Sequence, residues 1–115
     1  MNKSILTMMF TVIMVSCSQN KNMQKISELP ACLETTIKNM TSDPSQGTPQ
    51  SVTRYTYKQQ TVYYMLSACC DKYNIVYDSD CNILGYPDGG LAGRGDGKMT
   101  DFKDKATYEK EIWHQ

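Results

Sequence analysis

The chain has 115 residues, with 12 Lys or Arg against 12 Asp or Glu and a formal net charge of zero. That length suits one domain with a modest core, which crosslinks would help to hold. The balanced charge argues against nucleic acid or an anionic lipid surface as the main partner, because both need a basic face.

MNKSILTMMFTVIMVSC at the start sets Lys3 before an apolar run from Ile5 to Val15, followed by Ser16 and Cys17, the layout of a bacterial secretory signal. The run is about half of the roughly 20 residues a spanning helix needs. Ser16 directly before Cys17 resembles the lipobox read by lipoprotein signal peptidase, with Met14 standing where Leu is usual. On that reading residues 1–16 are removed and Cys17 is acylated, palmitate included, which tethers the protein to a membrane without embedding it. The alternative is an ordinary signal peptide with an incidental cysteine. Residues 17–27 are polar and aperiodic after Cys17 and read as a lipid-anchored tether, leaving 28–115 as a single domain.

From Ile26 the apolar positions Leu29, Leu33, Ile37 and Met40 recur at helical spacing, which predicts a helix over 29–40 with Ser27 as cap, Ile26 as staple and Pro30 in the first turn. TSDPSQGTPQ, residues 41–50, reads as a loop. Residues 51–57 and 61–67 are rich in β-branched and aromatic side chains and predict a hairpin across Lys58, Gln59 and Gln60, a turn without the usual glycine. On its first strand Val52, Arg54 and Thr56 share one face and Thr53, Tyr55 and Tyr57 the other. Residues 74–78 and 81–86 predict a second hairpin across Ser79 and Asp80. After the glycine run, TDFKDKATYEKEIWHQ reads as a terminal helix or as a strand ending at Ile112 and Trp113. The expected fold is α+β: a small antiparallel sheet of two hairpins with a packed N-terminal helix, stapled by disulfides.

The Val62-Tyr63-Tyr64 strand, Cys69-Cys70-Asp71, Tyr77-Asp78, Asn82, Pro87-Asp88-Gly89-Gly90 and Gly95-Asp96-Gly97-Lys98 resemble the DUF6970 family, small exported proteins of the Bacteroidetes group with no assigned activity. The resemblance covers about residues 28–113. It implies an exported domain and names no function. The chain departs from the family pattern at Cys81, where glycine is usual, and at Gly85 and Met99, where cysteines are.

Cys32, Cys69, Cys70 and Cys81 remain when Cys17 is set aside, an even number that allows three pairings in an oxidising compartment. Adjacent strand residues point to opposite faces, so Cys69 and Cys70 are expected to reach different partners, Cys32 for one and Cys81 for the other. Thiol-redox or zinc chemistry would use the same sulfurs, but their spacing is neither Cys-x-x-Cys nor a zinc pattern, and His114 is the single histidine.

Asp78, Asp80 and Asn82 imitate the opening of a calcium loop, after which Ile83 stands where the glycine belongs and Gly89 where the bidentate glutamate belongs. A looser site would add Asp88 or Asp96; the plainer use is a turn folded by Asp and Asn hydrogen bonds. PDGGLAGRGDGKMTDF, residues 87–102, holds five of the seven glycines. It fails the Walker pattern at Ala92 and Met99 and contains no Gly-x-Gly-x-x-Gly. Arg94-Gly95-Asp96 matches an adhesion tripeptide only by its three letters. Asp88, Arg94, Asp96 and Lys98 are the expected exposed ligand or ion contacts of this loop. Tyr55, Tyr57 and Tyr63 or Tyr64 would line one sheet face, either to stack a ligand or to pack the core.

No catalytic residue is assigned. The reading is a non-enzymatic binding or interaction module of the cell envelope, anchored by Cys17, on either side of an outer membrane, with a protein or small-molecule ligand. The alternatives are a calcium-supported ligand-binding or inhibitor-like domain, and a small hydrolase or thiol-redox protein.

Overall fold

The computed structural model describes residues 28–43, 45, 47–68 and 71–115, so the readings that fall on Cys17, on Ser27 and Ile26, and on Cys69 and Cys70 lie outside the described residues. In chain order the elements are helix α1 (Ala31–Ser42), strands β1 (Pro49–Tyr57), β2 (Gln60–Ser67), β3 (Tyr73–Tyr77) and β4 (Ile83–Gly89), a single helical turn α2 (Phe102–Lys105) and strand β5 (Thr107–His114). The strands form one five-stranded sheet in the order β4-β3-β2-β1-β5. Every neighbouring pair is antiparallel.

α1 begins and ends about two residues later than its apolar spacing predicts. Pro30 is its N-cap, with φ −54° and ψ 140°, rather than part of the first turn, and its carbonyl accepts from the Glu34 amide at 3.0 Å. At the other end Thr41 and Ser42 extend the helix into the expected loop. Their hydroxyls donate to the carbonyls of Ile37 and Lys38, each at 2.8 Å, which satisfies polar groups that would otherwise favour a turn.

The first hairpin closes in two residues, not three. Tyr57 pairs with Gln60, and Lys58 and Gln59 both take positive φ, 48° and 65°. Those are the dihedrals of the primed turn whose twist matches a right-handed hairpin, adopted here without glycine. The C-terminal alternative resolves into both elements: one helical turn that buries Phe102, then a strand rich in β-formers that adds to β1 as a fifth strand beyond the expected two hairpins.

Both faces of the sheet are buried. On one face, Leu29, Leu33 and Ile37 from the α1 segment pack with Val52, Tyr63, Met65 and Tyr77, and Ile112 and Trp113 of β5 join at the margin. On the other, Tyr57, Val62 and Val76 are covered by Met99 and Phe102. The alternation predicted for β1 holds on its neighbour: Met65 lies opposite Val52 and Tyr64 opposite Thr53.

A disulfide joins Cys32 to Cys81, with Cα atoms 6.1 Å apart. This corrects the expected pairing of Cys32 and Cys81 with the adjacent Cys69 and Cys70. α1 starts at the end of the sheet occupied by the β3 to β4 turn, while the chain after β2 emerges at the opposite end. Cys81 itself sits in that turn with φ 63°. Gly85 leaves room for Met99: a Cβ built on it would lie 2.7 Å from Cγ and Sδ of that side chain.

Candidate functional site

The sheet's two ends divide the residues singled out above. At the β3 to β4 turn, Asp78 Oδ1 accepts from the amides of Asp80 and Asn82, each at 2.9 Å, and Asp78 Oδ2 accepts from Asn82 Nδ2 at 3.2 Å. The Asn82 amide is the main reason the Asp78 carboxyl lies below its ordinary range. Asp78 and Asn82 therefore fold the turn. The length of β4 separates this group from Asp88 and Asp96, so the two acidic groups are not brought together, and among the described residues no three His, Cys, Asp or Glu side chains are grouped as metal ligands.

The glycine run lies at the other end. Pro87 and Asp88 end β4, and the chain then curls back along that strand's outer edge. The Gly90 amide donates to the Lys72 carbonyl at 3.0 Å, Gly95 donates to Gly89 at 3.1 Å, and Asp96 donates to Tyr86 at 3.0 Å. The first of these bonds continues the β3 to β4 pairing; β4 is an outer strand, and the other two occupy carbonyls that an exposed edge would offer to another chain. Glycine is needed for this at Gly95, whose φ is 66° and where any Cβ would collide with the Tyr86 carbonyl oxygen. Gly89 is equally confined, since a Cβ there would sit 2.6 Å from the Lys72 oxygen.

Beyond Asp96 the chain crosses the sheet as a strap. Asp96 Oδ1 accepts from the Lys98 amide at 3.0 Å, then Met99 and Phe102 insert. Phe102 is the centre of an aromatic group: its ring centroid is 5.3 Å from Tyr55, 5.3 Å from Tyr57 and 5.9 Å from Tyr64. The tyrosine face expected from the sequence exists with Tyr64 in it and Tyr63 on the opposite face, and its rings pack the protein's own phenylalanine.

Of the four charged loop residues, Asp88 turns inward. Only 18% of its side chain is exposed, where Lys103 Nζ lies 3.8 Å away. It accepts from the Tyr64 hydroxyl at 2.9 Å and from Asn74 Nδ2 at 2.8 Å, while Asn74 Oδ1 takes the Ser67 amide at 2.8 Å. Burial, reinforced by Asp88, pushes the Tyr64 hydroxyl well above its ordinary pKa and keeps it a donor. Asp96 supports its own turn. Arg94 and Lys98 are exposed and have no side-chain partner among the described residues, so the four do not pair with one another.

What the loop presents outward is different. Leu91 is 90% exposed at its tip, and Tyr73, at the start of β3, is 44% exposed. Between them runs an open groove of about 270 Å³, bounded by Asp71 and Tyr73 on one side and by residues 89–92 and Gly95 on the other. Neither Leu91 nor Tyr73 stands out in the sequence as a functional residue; the usable signal was that Leu91 is the one large apolar side chain between Gly89 and Gly97.

Compared with known proteins, the chain matches no curated protein and no solved structure. A family model described as a domain of unknown function, DUF6970, matches residues 38–115, from within α1 to the last residue, so that Cys81 lies inside the matched region and Cys32 before it. The chain belongs to the DUF6970 family.

Proposed function

We propose that the protein is an exported binding module of the cell envelope, anchored to the outer membrane by acylated Cys17, that engages a protein or small-molecule ligand through the end of the sheet carrying the glycine loop. One observation carries the reading: Leu91, a large apolar side chain, is 90% exposed on a loop whose backbone is bonded to β4 and to Lys72. Leu91 does not stand alone: with the part-exposed Tyr73 it borders one groove, so the loop end sets apolar surface beside a concavity, an arrangement suited to contact with a ligand. The topology supports the same orientation. The Cys32 to Cys81 bond sets the start of α1 beside the β3 to β4 turn, so a tether ending at Glu28 would reach the end of the sheet opposite the loop.

Two measurements test this in cells. Cys17→Ser is expected to abolish incorporation of labelled palmitate, and palmitate still incorporated would end the anchoring claim. A photo-crosslinking side chain at position 91 is expected to give a discrete adduct in the envelope, with none from the exposed position 35 of α1. Equal labelling from both positions would remove the loop as the contact surface.

A further inference from the structure

We propose that the groove beside the glycine loop binds a neutral, hydroxyl-rich ligand, a saccharide, with the Tyr73 ring as its stacking wall and with Asp71 and the Leu91 and Ala92 amides as its polar contacts. The inference rests on the reading of the protein as a binding module and names the ligand class of its site.

The groove's volume of about 270 Å³ is just below the roughly 300–1,000 Å³ usual for small-molecule sites, room for one sugar ring. Its aromatic wall is fixed in advance: Tyr73 packs on Tyr86, with centroids 5.1 Å apart, and on Gly90, where a Cβ would come within 2.6 Å of the ring. Part of the ring still faces solvent. Asp71 is exposed and makes no ion pair or hydrogen bond among the described residues. The Leu91 and Ala92 amides likewise have no acceptor there, although those of Gly90, Gly93, Gly95 and Asp96 all do.

The residues that line the groove thus carry free acceptors, two amides without an acceptor and an aromatic surface. An anion would use the amides but meet the Asp71 carboxylate. An ammonium group would use Asp71 and the ring but leave the amides unpaired. A wholly apolar ligand would cover all three polar groups without satisfying them, which is costly. Hydroxyl groups donate and accept at once, so a polyol satisfies both sets, and the C–H face of a pyranose ring suits an aromatic wall.

The test is an amide spectrum of the isotopically labelled full chain in micelles, titrated separately with cellobiose, maltose, diacetylchitobiose, choline and inorganic phosphate up to about 20 mM, where a site of millimolar affinity is largely filled. At least one of the three sugars should shift the Leu91 and Ala92 amides saturably. Asp71→Asn should weaken that response about tenfold, Tyr73→Ala should remove it, and Tyr73→Phe should keep it, which separates loss of the ring from loss of the fold. No sugar moving these amides, or choline or phosphate moving them in place of sugar, overturns the proposal. If the adduct from position 91 persists while every sugar is silent, the module reading stands and the saccharide falls.

Discussion

The two faces of the sheet are closed by different means. α1 covers one with a 12-residue helix whose apolar side chains recur every three or four positions and whose first turn is bonded covalently to the β3 to β4 turn. The strap after the glycine loop covers the other with two buried side chains, Met99 and Phe102, and a set of polar attachments. The α1 segment buries three side chains, Leu29, Leu33 and Ile37, and adds a covalent bond, whereas the strap relies on two buried side chains and polar groups. The strap face should therefore depend more on single residues.

Phe102→Ala gives the largest expected effect. Removing a buried aromatic ring typically costs about 3–5 kcal/mol, and Phe102 is the ring against which Tyr55, Tyr57 and Tyr64 all pack. Leu33, fully buried under α1, should cost about 2–5 kcal/mol as Leu33→Ala. Urea unfolding should place Phe102→Ala below Leu33→Ala in midpoint. The reverse order would mean that the strap is an accessory and α1 the true lid.

Opening the disulfide comes next. Cys32 and Cys81 are separated by 49 positions, and closing a loop of that size constrains the unfolded chain by about 4 kcal/mol in the entropic account, with about 2–4 kcal/mol usually measured. Cys32→Ser should lower stability by that amount and leave the strap unchanged. The amides of Gly95 and Asp96 should keep their protection from hydrogen exchange while those of α1 lose theirs. Uniform loss across both faces would show that the faces unfold as one unit.

The contrast between the faces also explains what could be read from the chain. Leu33 and Ile37 announce α1 because helical burial is periodic, and the β-branched and aromatic residues around Val52 and Tyr64 announce the first hairpin in the same way. Phe102 belongs to no period; its place depends on where the glycine loop delivers the chain, so the sequence left α2 and β5 open. The concentration of glycines is plain in the sequence, but the close approach that needs them, onto the Tyr86 carbonyl and its strand edge, is not. Asp88 illustrates the same limit. Its position at the head of the glycine run, between Pro87 and Gly89, suggests exposure, yet Tyr64 and Asn74, distant in sequence, draw it inward. The disulfide was misread because adjacency of Cys69 and Cys70 was the stronger local cue, while the actual pairing follows from which end of the sheet α1 starts.

The smallest expected effect concerns acid. The strap's far end is held by Asp101, whose carboxylate accepts from the Tyr57 hydroxyl at 2.6 Å and pairs with Lys105 at 3.3 Å and Lys58 at 3.8 Å. The Tyr57 hydrogen bond above all, and then the lysines, hold its carboxyl below the usual aspartate value. A carboxyl whose pKa is lower in the folded state contributes stability that is fully present above its unfolded pKa of about 3.9 and disappears as pH falls through the folded value. Glu109, held low by Thr56 and by Arg54 at 2.6 Å, acts in the same direction at the β5 edge. The α1 face has a covalent bond in the comparable position, which acid does not touch; protonating Asp78 weakens the hydrogen bonds of the β3 to β4 turn beside it but leaves that bond closed. Lowering the pH from about 5 to 3 should therefore expose the strap first. Fluorescence from the tyrosines around Phe102 should change while α1 keeps its helical circular dichroism. Tyr57→Phe, which removes the donor but keeps the ring, should shift that loosening to higher pH. A single transition at one pH for both signals, unmoved by Tyr57→Phe, would show that Asp101 does not hold the strap and that the two faces share one stability.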